Sequence, residues 1–221
     1  AGILIEDKNT SYASANVKAT EAVVEAAQKL GAKHLVFISV VGASKESSNA
    51  YFRSKGLAEE LVKNSGLATS VIRTPILLGP NTAGASSMIG AATQAKTKIL
   101  GGGKYSMCPL DIDDLNQAIL NCCNSDSTEA KLYELVGPEP ISYRDLIKKT
   151  AAMMNNSVEI GSFPVAIAKL VAAISSRIKG GGITPTVIDV ITMDEVVDKN
   201  SDGELNITLT PLQNTLEKIL E

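Results

Sequence analysis

The chain has 221 residues, of which 44% are hydrophobic and 20% are charged, and its formal net charge is −3. A chain of this length can bury a sizeable core as one domain, or as one domain with a small lobe. The weak negative charge, without a basic cluster, excludes nucleic acid as an expected partner. The 4% aromatic content excludes a stacking surface for bases.

Membrane, metal and secretory functions find little support in the sequence. No apolar run approaches the roughly 20 residues that span a bilayer, and no signal peptide is visible. Cys108, Cys122 and Cys123 lack a C-x-x-C spacing, and His34 is the only histidine. We therefore expect reduced core cysteines, no metal site and a cytoplasmic protein without a membrane span.

The first half of the chain alternates between helix and strand patterns. Residues 11–30 place apolar side chains at helical spacing before Gly31, and residues 51–64 repeat that pattern. Residues 34–41 and 68–78 are short apolar runs rich in β-branched residues, which is typical of strands buried on both faces. This order predicts an α/β fold with a parallel sheet and right-handed crossovers.

The second half is predicted to be mostly helical. A strand is predicted over residues 132–136, and helices are predicted over residues 86–95, 111–124, 142–154, 164–178 and 210–221. The helix over 164–178 is very apolar, and we expect it to pack in the interior, with contact to a membrane or a partner as the alternative. Gly180-Gly181-Gly182 marks a hinge or loop. We predict a partial α/β core over 1–138, with some of residues 80–110 in a small, mostly helical lobe over 139–221.

One pair of residues is suited to proton transfer. Tyr51 and Lys55 lie four residues apart at the start of a predicted helix, so both side chains share one face. A lysine ammonium beside a phenol stabilises the phenolate, so the phenol can exchange a proton closer to neutral pH. The pair follows a buried strand, which places it near the carboxyl edge of the sheet, where such folds bind ligands.

Several segments together resemble the extended and atypical short-chain dehydrogenase/reductases, the NAD(P)-dependent epimerase/dehydratase group. The segments are Asn16-Val17-x-x-Thr20, Phe37-Ile38-Ser39, Tyr51-Phe52-Arg53-Ser54-Lys55, Arg73-Thr74-Pro75, Gly79-Pro80-Asn81, Gly101-Gly102-Gly103-Lys104 and Tyr133 to Pro138. The branch that looks most similar contains the complex I accessory subunit and NmrA-like regulators, some of which bind NADP(H) without turning over a substrate. The resemblance implies a Rossmann-like fold and NAD or NADP as the cofactor.

The resemblance also implies roles for individual residues. Tyr51 would be the catalytic acid and base, and Lys55 would hold the nicotinamide ribose and lower the pKa of Tyr51. Asn16 would support the active-site water and Lys55. The residues that would line the nicotinamide side are Thr74, Pro75 and Ile76.

Two departures from the family pattern argue against full activity. The substrate-orienting serine or threonine falls at Val41, which cannot form that hydrogen bond, and the candidate Ser39 lies two residues before it. The 17 glycines form neither G-x-x-G-x-x-G nor G-x-G-x-x-G, the loop that lets a pyrophosphate approach a helix N-terminus. We therefore expect impaired cofactor binding.

A missing N-terminal half would explain the absent glycine loop. In that interpretation Gly2–Ile5 is the end of the family's fourth strand, and the first three strands are lacking. The strand near residues 3–5 or 35–41 would then be an apolar edge of the sheet, which is a liability unless something covers it. We predict a homo-oligomer, a dimer that covers this edge.

Three functions stay open at this point. The chain is a remnant of an NAD(P)-dependent oxidoreductase or epimerase that needs its missing part from a partner chain. Alternatively, it is a non-catalytic scaffold or interaction protein that keeps the fold. The third alternative is a truncated fragment that folds without turnover. No motif identifies a substrate.

Overall fold

A computed structural model describes residues 2–125, 127–179 and 182–221. The elements in chain order are a π-helical turn (Ala13–Lys18), α1 (Ala19–Lys29), β1 (His34–Val40), α2 (Ala50–Lys63), β2 (Ala68–Thr74), β3 (Leu77–Leu78), α3 (Ala83–Ala92), β4 (Lys96–Leu100), a 3₁₀ turn (Gly101–Gly103), β5 (Ser106–Met107), β6 (Leu110–Asp111), α4 (Ile112–Cys123), β7 (Ala130–Glu134), β8 (Ile141–Ser142), α5 (Tyr143–Met153), β9 (Glu159–Phe163), α6 (Val165–Lys179), α7 (Pro185–Ile191) and α8 (Leu212–Leu220). This mixture of helices and parallel strands confirms the predicted α/β class. Two residues of the predicted glycine hinge, Gly180 and Gly181, lie outside the described residues.

The described residues divide into two compact units, and each unit is built from three stretches of chain. The first unit contains the residues up to Arg73, Ile119–Glu134 and Lys169–Ile191. The second unit contains the ranges Thr74–Ala118, Leu135–Ala168 and Thr192–Glu221. The predicted domain boundary at residue 138 stays a prediction.

The first unit is organised around a sheet of three strands in the order β1-β2-β7. Strands β2 and β7 run parallel, in a register that pairs Thr69 with Ala130 and Arg73 with Glu134. Its core joins Val24 of α1, Val62 of α2 and Val71 of β2, with side chains of β1 packed against them. Because β2 occupies the centre of this order, β1 is an edge strand in the described part of the sheet.

The N-terminal segment differs from the prediction. The structure assigns no strand to Gly2–Ile5, so the interpretation of this segment as a strand end was wrong. Its backbone is instead bound by side chains, because Asn16 pairs with Ile3 and the Tyr12 hydroxyl donates to the Leu4 carbonyl at 2.7 Å. Side-chain amides and hydroxyls thus satisfy polar groups that a neighbouring strand would otherwise satisfy.

The predicted strand over residues 68–78 is interrupted. Strand β2 ends at Thr74, and the short β3 pairs with β6 in a separate parallel pair. Pro75 has no N–H to donate and therefore cannot continue a hydrogen-bonded ladder. The interruption coincides with the division of the chain into units, because Arg73 ends one stretch and Thr74 begins the next.

The second unit contains three two-stranded sheets and the last helix. Strands β4 and β9 are parallel over five residue pairs, and β5 and β8 are antiparallel. The last helix, α8, is held by Asp111, whose carboxylate accepts hydrogen bonds from Thr215 Oγ1 and Lys218 Nζ, both at 2.7 Å. The sequence did not predict β4 or β9. Both strands are very short, and in β4 Lys96 and Lys98 alternate with smaller residues, which is a weak strand pattern.

Helix α6 does not bury its large aliphatic side chains in the described structure. Leu170, Val171 and Ile174 are 64%, 56% and 56% exposed, whereas the small Ala168 and Ala172 are buried. This is the reverse of the interior packing expected from the sequence. Within the described ranges, no helix is both long and apolar enough to cross a membrane.

Glycine 56 allows α2 to approach the loop that follows β1. A Cβ atom at this position would lie 2.2 Å from Lys45 N and 2.3 Å from Ser44 C, and both are backbone atoms that cannot easily move. We expect Gly56→Ala to destabilise the chain by about 3 kcal/mol, since overpacking against backbone is costly. Thermal and urea unfolding measure this change.

Gly90→Ala in α3 is the matched control. A Cβ atom there meets nothing within 4 Å, and alanine is about 1 kcal/mol better than glycine inside a helix. The control should therefore unfold at the same or a higher urea concentration. Equal stability of the two variants would contradict the close approach at Gly56.

Candidate functional site

The π-helical turn at the start of the first helix positions Asn16. The Asn16 side chain is 1% exposed, its Oδ1 accepts from Ile3 N at 2.8 Å, and its Nδ2 donates to the Ile3 carbonyl at 3.2 Å. The same Nδ2 also donates to Ser54 Oγ at 2.9 Å, which links the first helix to α2. Such wide turns inside helices are frequent at functional sites.

The beginning of α2 places Tyr51 and Lys55 on the same helix face. Asn49 is the N-cap, and its Oδ1 accepts hydrogen bonds from the backbone amides of Tyr51 and Phe52 at 3.0 and 3.4 Å. Its Nδ2 donates to the Thr186 carbonyl at 3.1 Å, so the cap itself is held in place. The predicted pair therefore lies within the first two turns of a capped helix.

Lys55 is a buried ammonium group. Its Nζ donates to the Ile38 carbonyl at 3.0 Å and lies 4.6 Å from the centroid of the Phe37 ring. Burial lowers the pKa of Lys55 to about 8, and the nearby Glu59 carboxylate opposes part of that shift. A lysine in this state changes its charge close to neutral pH.

Tyr51 is predominantly a neutral phenol in this environment. Its ring packs against Tyr12 at a centroid distance of 5.8 Å and against Phe52 at 5.6 Å. Burial raises the pKa of Tyr51 to about 12. The sequence predicted that Lys55 lowers this pKa, and in the structure the effect of burial is larger and opposite in direction.

The remaining candidate of the first unit is Ser39. It is 1% exposed in β1 and directly follows Ile38, the residue whose carbonyl holds Lys55. Val41, at the position of the family's substrate-orienting hydroxyl, is buried. The site of the first unit therefore brings together Asn16, Lys55 and the segment around Ser39, and the role of each residue stays a prediction.

Two residues that the sequence analysis did not single out belong to this site. Ser54 is buried, donates to the Tyr51 carbonyl at 2.7 Å and accepts from Asn16, so it connects the two helices. Phe37 supplies the ring beside the Lys55 ammonium. The sequence could have identified Ser54 as a site residue, because it directly precedes Lys55. It could not have identified Phe37, which looks like any other core residue of its strand.

Thr74, Pro75 and Ile76 belong to the second unit. Thr74 is buried at the end of β2, and the Ile76 carbonyl accepts from Leu110 N at 3.1 Å. The Ile76 amide donates to Glu195 Oε1, also at 3.1 Å. Their predicted place on the nicotinamide side stays a prediction.

Sequence comparisons connect the chain to NAD(P)-binding proteins. Residues 5–100 match a family model described as NAD(P)H-binding. The chain is 27% identical over 175 residues to the Arabidopsis thaliana protein "NADH dehydrogenase [ubiquinone] 1 alpha subcomplex subunit 9, mitochondrial", covering 76% of this chain and 42% of that protein. It is 21% identical over 210 residues to the "Photosystem II assembly factor Ycf39" of Cyanophora paradoxa, covering 93% of this chain and 64% of that protein. The chain thus spans less than two thirds of each of these relatives.

Solved structures show the same fold at low sequence identity. "MoeE5 in complex with UDP-glucose and NAD" has a TM-score of 0.70 at 15% identity, and the match covers 96% of this chain and 72% of that one. A dTDP-4-dehydrorhamnose reductase from Bacillus anthracis in complex with NADP has a TM-score of 0.69 at 18% identity, with 93% and 71% coverage. These likenesses confirm the Rossmann-like α/β fold. Together with the family model and the complex I relative, they confirm the resemblance to the extended and atypical short-chain dehydrogenase/reductases.

The charge of Lys55 leads to a pH-dependent stability. The pKa of Lys55 falls from 10.5 to about 8 on folding, so between these values the unfolded chain binds the extra proton. Stability therefore rises with pH in that window. We expect the difference in unfolding free energy between the parent chain and Lys55→Met to increase in favour of the parent from pH 7.5 to pH 9.5, as measured by urea unfolding.

Lys29→Met, at a lysine that is 79% exposed on α1, is the control. Its stability relative to the parent chain should stay constant over this pH range, because an exposed lysine is in contact with water in both the folded and the unfolded chain. A constant difference for Lys55→Met as well would show that Lys55 is not desolvated.

Proposed function

We propose that the chain is the nicotinamide-side part of an NAD(P)-dependent reductase- or epimerase-like protein, and that it binds the ribose end of the cofactor weakly. The observation that carries this proposal is the buried Lys55 ammonium, presented by a capped helix beside Tyr51 and held by the Ile38 carbonyl. The NAD(P)H-binding family match over residues 5–100 includes every one of these residues.

The ribose end of a dinucleotide fits the residues present. Lysine has three N–H donors, and among the described residues Lys55 Nζ makes a single hydrogen bond, to the Ile38 carbonyl. The other donors are suited to ribose hydroxyls, which accept as well as donate. The neutral Tyr51 hydroxyl can supply a further donor, and a bound dinucleotide would bring a nicotinamide ring that accepts or releases hydride.

The pyrophosphate end does not fit this chain as it stands. A dinucleotide's pyrophosphate needs backbone N–H groups at a glycine-rich helix start, and the 17 glycines do not form that motif. At the start of the first described helix, the amide of the buried Tyr12 is already bound by the Glu6 carboxylate. Weak binding follows, because only one end of the cofactor finds its usual partners.

We do not expect this chain to catalyse the family's reaction efficiently. With a pKa of about 12, Tyr51 holds its proton at neutral pH and is a poor general base. The buried Val41 cannot orient a substrate carbonyl or hydroxyl. We therefore propose cofactor contact without efficient catalysis.

Calorimetric titration of the chain with NADPH and with NADH tests this proposal. We expect saturable but weak binding, weakened at least about tenfold by Lys55→Ala, because hydrogen bonds from a charged group contribute roughly 1.5–3 kcal/mol. Tyr51→Phe should weaken binding by less than that, because it removes one neutral donor.

The exposed Lys29→Ala variant controls for the loss of a positive charge and should bind like the parent chain. No heat from the parent chain up to millimolar cofactor, or equal affinities for Lys55→Ala and Lys29→Ala, would contradict the proposal. The chain would then be better explained by a scaffold role.

A non-catalytic scaffold or interaction protein is the alternative. It is favoured by the names of two relatives, one a subunit of an NADH dehydrogenase and the other an assembly factor for photosystem II. Such roles require protein surfaces and no substrate chemistry. The plant relative is also named as mitochondrial, which makes mitochondria the alternative to the predicted cytoplasmic location.

We also propose that a second copy of the chain covers the edge of the three-stranded sheet. In the described sheet β1 pairs with β2 alone, and its sequence His34-Leu35-Val36-Phe37-Ile38-Ser39-Val40 is mostly apolar. An edge strand with unpaired backbone groups is a template for strand pairing. A two-fold dimer would satisfy both copies in the same way.

Sedimentation velocity tests the dimer. We expect a dimer at micromolar concentration, and we expect Val36→Lys in β1 to shift it to the monomer, because charges on an edge strand oppose pairing. Val23→Lys, at a residue that is 53% exposed on α1, is the control and should remain dimeric. A monomeric parent chain, or dissociation by both substitutions alike, would refute the β1 interface.

A further inference from the structure

The irregular segment of residues 192–200, here called the Glu195 strap, is tied to the second unit by side-chain groups. Asp194 Oδ1 accepts from Ser106 N at 2.6 Å, and Glu195 N donates to the Ser106 carbonyl at 2.9 Å. At its far end, the Asn200 side chain pairs with the backbone N–H and carbonyl of Val136 at 3.1 and 2.9 Å. The strap is therefore fixed at both ends.

The Glu195 side chain reaches from this strap to the segment around Ile76. Its Oε1 accepts from Ile76 N at 3.1 Å. The Cys108 amide is close enough to favour the charged form of the same carboxyl group. The neighbouring Val196, in contrast, is 69% exposed.

The second oxygen of Glu195 has no such partner. Oε2 is buried and makes no hydrogen bond to any described residue. A buried carboxylate oxygen without a donor is costly when it is charged and much less so when it is neutral. The geometry therefore favours the neutral acid in the closed strap and water contact for the ionised form.

We propose that Glu195 is a latch that holds the strap on Ile76 while its carboxyl group is neutral, and that ionisation loosens the strap. The nearby titratable groups do not favour the ionised form of Glu195. The titratable groups at Glu195 are the Cys108 thiol, whose pKa is raised first by burial and also by Glu195, and the adjacent Asp194 carboxylate. Neither group supplies a positive charge that would stabilise ionised Glu195.

The pH range of the latch follows from the same burial. Burial raises the pKa of Glu195 from 4.5 to about 7, although the amides of Ile76 and Cys108 oppose the shift. The closed strap therefore binds a proton that the open strap releases between these values. Closure is favoured at low pH and weakens as pH rises toward about 7, above which it no longer changes.

The amide of Ile76 reports on the state of the latch. Glu195 holds this amide in the closed strap. A loosened strap would release it to exchange with solvent.

Amide hydrogen exchange followed by NMR on the full chain without cofactor tests the latch. We expect the protection factor of the Ile76 amide to fall by about tenfold between pH 5.8 and pH 8, with most of the fall below pH 7. In Glu195→Gln, which keeps an acceptor oxygen but cannot ionise, protection should not vary with pH. Asp194→Asn is the matched control and should keep the pH dependence of the parent chain.

A direct titration of the Glu195 carboxyl carbon by NMR supplies a second readout that needs no variant. A midpoint near 7 supports the latch, and a midpoint near 4.5 overturns it. Unchanged Ile76 protection across the pH range, or the same pH dependence in Glu195→Gln, also overturns it. Because no cofactor is present, failure here is distinct from failure of the NADPH titration.

Discussion

The burial of the Lys55 ammonium is the constraint on which the candidate site depends. A charge removed from water must be compensated, and here the Ile38 carbonyl and the Phe37 ring provide the compensation. This requirement fixes where α2 lies against β1. It also explains the close approach at Gly56, because a side chain at that position would push the helix away from the loop after β1.

The polar network around Asn16 extends this constraint to the first helix. Asn16 binds both backbone groups of Ile3 and also Ser54, so one amide joins the N-terminal segment, the π-helical turn and α2. A Cβ atom on Gly2 would lie 4.0 Å from Lys55 Nζ, which shows how closely the N-terminal segment approaches the ammonium. Such a network is stable only when its members are all satisfied, so it fixes one arrangement of these elements.

The sequence predicted what local spacing determines and missed what tertiary contacts determine. The Tyr51/Lys55 pair, β1 and the helices other than α7 follow from periodicity and capping, and the structure contains them close to their predicted bounds. Helix α7 was not predicted. Gly2–Ile5 has the composition of a strand, but side chains rather than a strand bind its backbone. The raised pKa of Tyr51 could not be predicted, because the i,i+4 spacing reveals Lys55 but not the burial of the phenol. Glu195 carries no sequence signal, since its role comes from contacts with residues about 90 and 120 positions earlier in the chain.

The two ends of a dinucleotide make different demands on a protein, and this difference bears on the function of the chain. The ribose end needs a few side chains on one helix, and in the proposed function Tyr51 and Lys55 would meet that demand through a capped helix start. The pyrophosphate end needs glycines at a strand-to-helix turn, and no arrangement of the 17 glycines provides it. The two ends of a dinucleotide are linked in one ligand, so their binding energies reinforce each other. A protein that contacts only the ribose end therefore loses much more affinity than the lost contact area alone would suggest. Within the proposed function, the Lys55 environment would therefore account for contact with the ribose end of the cofactor alone.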